Sequence, residues 1–177
     1  RTIPMLPERL CNFICSLRPD EDKLAYSVIF EMNEEAEIKR WRLVHTVIRS
    51  NRRFAYEEVQ EILEQNGVKD GTGKPAPPAG PDGYSGEYAA ELIMLDHLAK
   101  KLREARFRNG AVKFDREELR FDIDEKGKPT RCYFKKSKDA NKLIEEFMLL
   151  ANRTVAESIG NVKKGTRAKT LPYRIHD

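Results

Sequence analysis

Lys23-Leu24-Ala25-Tyr26-Ser27-Val28-Ile29-Phe30-Glu31-Met32 is the stretch on which the fold class turns. Leu24, Tyr26, Val28, Phe30 and Met32 fall on one side of a period of two, and Ala25, Ser27, Ile29 and Glu31 on the other. That alternation predicts a strand covered on at least one face. Asn33-Glu34-Glu35 supplies a polar turn, and Ile38 to Arg49 alternates again, with Trp41, Leu43, His45 and Val47 opposite Arg42, Val44, Thr46 and Ile48. Two such runs joined by a short polar link predict an antiparallel hairpin. Upstream the period is helical: Leu10, Phe13, Ile14 and Leu17 repeat at helix spacing, Pro7 sits at a first turn and Pro19 ends the pattern.

Downstream the period lengthens again. Tyr56, Val59, Ile62 and Leu63 share a helical face, two acids suit the first turn, and Asn66-Gly67 is a helix stop. Glycine and proline dominate residues 67 to 86, which predicts a mobile surface loop within one domain. A long helix is expected from Glu87 to Arg108, with Leu92, Leu95, Leu98, Ala99, Leu102 and Ala105 along one side. Lys100, Lys101, Arg103, Arg106 and Arg108 gather at its C-terminal end, where cations complement the helix dipole. Leu119, Phe121 and Ile123, then Cys132 and Phe134, predict a second hairpin turning at Glu125-Lys126-Gly127-Lys128. A last helix runs from Asp139 to Ile159. This order gives an α+β class, antiparallel hairpins packed with several helices.

Composition narrows the function classes. With 35% charged and 40% hydrophobic residues the chain falls in the range of globular proteins, and no run of 18 apolar residues is present. A chain of 177 residues needs no disulfide or metal staple, and the three cysteines, Cys11, Cys15 and Cys132, lack zinc-ligand spacing. A reducing compartment, the cytoplasm, is therefore expected, with no membrane partner. The net charge of +4 sits in residues 161 to 177, where five cations face one acid, while the first 160 residues balance at 28 each. A basic end is compatible with a polyanionic partner, but the same pattern is common in solvated tails, so charge does not decide between them. The chain opens on Arg1 and reads as a piece of something longer.

The last helix orders its side chains at about 100° per residue. With Ile144 as origin, Phe147, Met148, Ala151, Val155 and Ile159 fall within about 60° and define the expected buried stripe. Glu145 falls near its rim beside Asn141 and Asn152, whereas Glu146 is expected to face water with Lys142 as its partner. Glu145 is either a ligand-contacting carboxylate or an ordinary boundary residue. Tyr56 and Phe114 are either core or base-stacking aromatics. Gly71-Thr72-Gly73-Lys74 lacks the spacing of a phosphate-binding loop, and His45, His97 and His176 show no partners for nucleophilic catalysis. Asp20-Glu21-Asp22 is a loose divalent-ion candidate or a solvated turn.

Three ordered blocks carry a resemblance. Ile3-Pro4-Met5-Leu6-Pro7-Glu8-Arg9-Leu10 with Cys15-Ser16-Leu17-Arg18-Pro19 and Asp22 to Ser27 is the first; Ala140 to Asn152 is the second; Tyr173-Arg174-Ile175-His176-Asp177 is the third. They resemble the RNB catalytic domain of ribonuclease R and ribonuclease II, processive 3′-to-5′ exoribonucleases, with the ribonuclease R branch nearer than ribonuclease II. The resemblance covers residues 1–177 outside the 67–86 loop and implies a single partial RNB domain. It implies that Phe114 stacks on bases near the 3′ end, and that Tyr56 and Glu145 contact RNA and favour ribose over deoxyribose. It also implies magnesium held by aspartates upstream of the Ile-Pro-Met-Leu-Pro block, a second clamp aromatic before Arg1, and an arginine and a glutamate beyond Asp177.

On that basis residues 1–177 are expected to supply RNA contacts but neither a catalytic residue nor a metal ligand, and to be inactive alone. The parent is expected to hydrolyse single-stranded or 3′-tailed RNA to 5′-nucleotides. The alternative is a non-catalytic RNA-binding or scaffold module with the same fold; a third reading is a protein-interaction domain. Within the resemblance Cys11 stands where serine is common, the proline-rich loop is an insertion, and Ala55 replaces a common threonine, removing a helix cap.

Overall fold

The computed structural model describes residues 3–68, 83–112, 118–125, 127–160, 165, 167 and 169–170. Phe114, most of the 67–86 loop, most of the basic end and the Tyr173–Asp177 block lie outside the described residues. The chain divides into two compact units. One holds the first hairpin and the second half of the last helix; the other holds the remaining helices, the second hairpin and the first half of the last helix, to Leu149.

In the first unit a six-residue π-helical segment, Arg9–Ile14, precedes β1 (Asp22–Met32) and β2 (Ile38–Arg49). The strands pair antiparallel from Asp22↔Arg49 to Glu31↔Arg40, which places Tyr26 opposite His45 and Phe30 opposite Trp41. The Tyr26 and His45 rings lie 4.9 Å apart, and the Ser27 and Thr46 hydroxyls hydrogen-bond at 2.7 Å. Asn33 closes the turn: its side-chain oxygen accepts from the Glu37 amide at 2.8 Å, and its own amide donates to the Glu37 carbonyl at 3.2 Å.

One expectation fails in this hairpin. No residue of either strand is buried, and Leu24 (87% exposed) lies on the open side that its apolar alternation predicted to be covered. A two-stranded ribbon covers an apolar face only against a second layer. Period two therefore reports backbone geometry here, not burial.

The second unit contains α1 (Tyr56–Gln65), α2 (Ala89–Arg108), the hairpin of β3 (Glu118–Ile123) and β4 (Pro129–Lys135), and the first half of α3 (Asp139–Gly160). α1 begins directly after Ala55, which puts that residue at the N-cap position. Restoring a hydroxyl with Ala55→Ser is expected to raise stability by about 1 kcal/mol, read as a higher urea midpoint. No change would mean that the first-turn amides are already satisfied.

α1 ends as its sequence predicts. Gly67, at φ +73°, donates to the Glu64 carbonyl at 3.0 Å, and Val68 donates to Leu63 at 3.0 Å, the paired bonds of a Schellman stop. Buried Asn66 staples this end: its amide donates to the Ile62 and Ser85 carbonyls at 2.8 and 2.7 Å, and its oxygen accepts from the Ser85 amide. The core forms directly on that staple, with Leu63, Val68 and Ile93 buried against Val59 and Tyr84. On α2 the buried side runs through Leu92, Ile93, Asp96 and Ala99, and Leu95, expected inside, is exposed.

α3 contradicts its predicted stripe more sharply. Ile144 and Met148 are half-exposed, while Ala140, Leu143, Glu146 and Thr154 are buried. The packed face is thus rotated by about 100° from the most apolar one. Glu146 does not face water or pair with Lys142 but is 3% exposed and bound by arginines of α2. A carboxylate is tolerated in a packed face only when paired and hydrogen-bonded, and α2 supplies those partners.

Candidate nucleic-acid interface

Tyr56, at the first position of α1, is not a core residue; it is 45% exposed at the mouth of a cleft of about 520 Å³. Tyr133 and Phe134 of β4 form a second, aromatic side, and Lys136, Lys138 and Asn141 continue it into α3. Glu57, Glu61 and Glu64 line α1. Glu64 is engaged: Gln60 donates to it at 2.9 Å and Lys138 pairs with it at 3.1 Å. The hydrogen bond from Gln60, then that from Lys138, hold the Glu64 carboxyl below its usual range. Gln60 also accepts from the Ala140 amide at 3.1 Å, so it caps α3 while bracing the cleft floor. The cleft offers flat aromatic surface with a hydroxyl and an amide at its edges, chemistry suited to stacking a planar base and meeting sugar hydroxyls.

Asn141 places the start of α3 on this cleft, and Glu145 lies one helical turn further along the same face. Its carboxylate, with the side chain 45% exposed, sits 3.6 Å from Arg106 Nη2. Arg106 simultaneously forks onto Glu146, Nε to Oε2 at 3.1 Å and Nη2 to Oε1 at 2.5 Å, and Arg103 approaches Glu146 at 3.7 Å. The hydrogen bond to Glu146 raises the Arg106 pKa further. Both guanidinium groups also stand over the Phe107 ring, at 5.2 and 5.0 Å.

A second ion cluster lies one turn away in the same α2–α3 seam, around a cavity of about 220 Å³. Lys100 Nζ bridges Asp96 at 2.8 Å and Asp139 at 3.3 Å. Burial pushes the Asp96 carboxyl above its usual range despite that lysine.

Of the three expected contact residues, the structure sets Tyr56 on the cleft and Glu145 one turn beyond it, and Phe114 lies outside the described residues. Arg106, Glu146, Tyr133 and Phe134 were not anticipated. The paired arginines at i, i+3 on α2 and the adjacent Glu145-Glu146 were the available signal, but 40 residues separate Arg106 from Glu146. Of the cations that read as dipole complements, Lys100, Arg103 and Arg106 pair with acids of the next helix, and Lys101 pairs with Glu35.

Among the described residues no group of three or more His, Cys, Asp or Glu could hold a metal ion. In the Asp20-Glu21-Asp22 run, Glu21 pairs with Arg18 and Lys23, and Asp22 with Arg49. The cysteines are free, and no described helix is long and apolar enough to cross a membrane.

The chain is thus an α+β protein of two antiparallel hairpins with an aromatic cleft and an arginine-clamped helix. The sequence matches the RNB domain over residues 1–177, and the chain belongs to the RNB family. It is 43% identical over 161 residues to the DIS3-like exonuclease 2 of Schizosaccharomyces pombe, covering 90% of this chain and 17% of that protein. It is 35% identical over 177 residues to ribonuclease R of Aquifex aeolicus, covering all of this chain and 23% of that one. The fold superposes on ribonuclease R of Mycoplasma genitalium in complex with double-stranded RNA with a TM-score of 0.73 at 25% identity, covering 89% of this chain and 26% of that one. The chain thus spans about a fifth of the length of these relatives.

Proposed function

We propose that this chain is the RNA-guiding part of a 3′-to-5′ exoribonuclease that hydrolyses single-stranded or 3′-tailed RNA to 5′-nucleotides in the cytoplasm. The observation that carries the reading is the RNB match over residues 1–177, with kinship to ribonuclease R over 177 residues and to a DIS3-like exonuclease over 161. A ribonuclease R neighbour is in complex with ribose-methylated single-stranded RNA, which supports RNA as the ligand.

In this reading Tyr56 offers its ring to a base and its hydroxyl to the sugar, and Phe114 stacks on a neighbouring base. Glu145 accepts a hydrogen bond from the ribose 2′-hydroxyl. DNA lacks that donor, so the carboxylate would lose water there without gaining a partner. Magnesium, proposed for the complete enzyme, would supply an activated water. The described acids of this chain form no ligand set for it. The part this reading gives the chain's own residues is to bind and orient the strand.

Glu145→Ala in the complete enzyme is expected to lower the RNA-to-DNA ratio of kcat/KM by about tenfold, the scale of one hydrogen bond to a charged group. Parallel rates on matched RNA and DNA oligonucleotides check this. A ratio equal to that of the parent enzyme removes Glu145 from sugar recognition.

A further inference from the structure

We propose that Arg106 is a positioning residue for sugar discrimination: anchored by buried Glu146, it fixes the Glu145 carboxylate at the rim of α3. This rests on Glu145 being the 2′-hydroxyl contact.

Adjacent helical residues project about 100° apart, so Glu146 enters the α2–α3 seam while Glu145 stays at its edge. Two neighbouring carboxylates repel, and one is nearly dry at 3% exposure. The guanidinium answers both at once. Its planar fork is committed to Glu146 at 3.1 and 2.5 Å, which removes the rotamer freedom of the arginine. The same Nη2 then stands 3.6 Å from Glu145 Oε1, too long for a good hydrogen bond and close enough for direct ionic attraction.

Glu145 therefore keeps its acceptor lone pairs for another donor while its charge is held in one place. A half-exposed glutamate without that cation samples several rotamers, and ordering it on each binding event would cost conformational entropy. The fixed carboxylate is pre-organised for a hydroxyl.

The test separates positioning from folding. Arg106→Ala alone strands a buried charge, so the informative variant is the double replacement Arg106→Met with Glu146→Met, which fills the seam with apolar groups of similar volume. It is compared in the complete enzyme with Glu145→Ala and with all three changes together, on matched RNA and DNA oligonucleotides. The double variant is expected to lower the RNA-to-DNA ratio about two- to fivefold, the range of a half-exposed ion pair. The triple variant should fall no further than Glu145→Ala. A double variant that keeps the parent ratio while Glu145→Ala lowers it overturns the role of Arg106 alone. A Glu145→Ala ratio that does not move overturns the sugar contact and the inference with it. Full additivity in the triple variant also overturns the inference, since Arg106 would then act by a route other than Glu145.

Discussion

Arg106→Ala is expected to destabilise the α2–α3 seam by about 3 kcal/mol, the lower end for breaking a buried ion pair from one side. Glu146 is 3% exposed and would lose two charge-assisted hydrogen bonds, with Arg103, 3.7 Å away, left among the described residues to answer its charge. Glu146→Ala should cost less, about 1 to 2 kcal/mol, because the Arg106 side chain is 31% exposed and its freed guanidinium can turn to water. The double methionine replacement should recover most of the loss, since no ion then remains to be paired. Urea midpoints for the three variants, with amide exchange across α2 and α3, check this ordering. A loss for Arg106→Ala no larger than that of a surface substitution, about 0.5 kcal/mol, would show that Glu146 is solvated in solution.

Leu63→Ala is expected to cost about 3 kcal/mol, within the range for removing a buried leucine. Leu63 is the one large side chain with no exposed surface among the described residues, and it packs with Val68 and Ile93 against Val59 and Tyr84. The site collapses poorly because its neighbours are tied to the backbone of the α1 stop. Asn66 holds the Ile62 and Ser85 carbonyls, and Gly86, at φ +108°, sits so near Ile62 that an added Cβ would lie 3.2 Å from it. Leu63→Met conserves volume and should cost less than about 1.5 kcal/mol. Equal losses for the two variants would mean that cavity formation is not the operative cost.

Some of this was plain in the residues. The period switch at Lys23 located β1 to within a residue, and Gly67 ended α1 because a left-handed residue is needed to satisfy its last carbonyls. The three blocks that resemble RNB exoribonucleases named the family later matched over the whole chain. For Tyr56 the residues left core and base-stacking both open, and its place at the first turn opens it onto the cleft. Other expectations missed. For α3, ranking faces by hydropathy chose Ile144 and Met148, and both are half-exposed.

What the sequence determined by itself was therefore the local order: which residues coil, which alternate, where each run stops, and which family shares those blocks. These depend on backbone geometry and turn chemistry within a few residues, and local spacing encodes both. Only the tertiary structure decided which face of α3 is packed and what the α2 cations do. A buried glutamate is unfavourable on any local scale and becomes acceptable only beside a guanidinium, and here that guanidinium comes from 40 residues earlier in the chain.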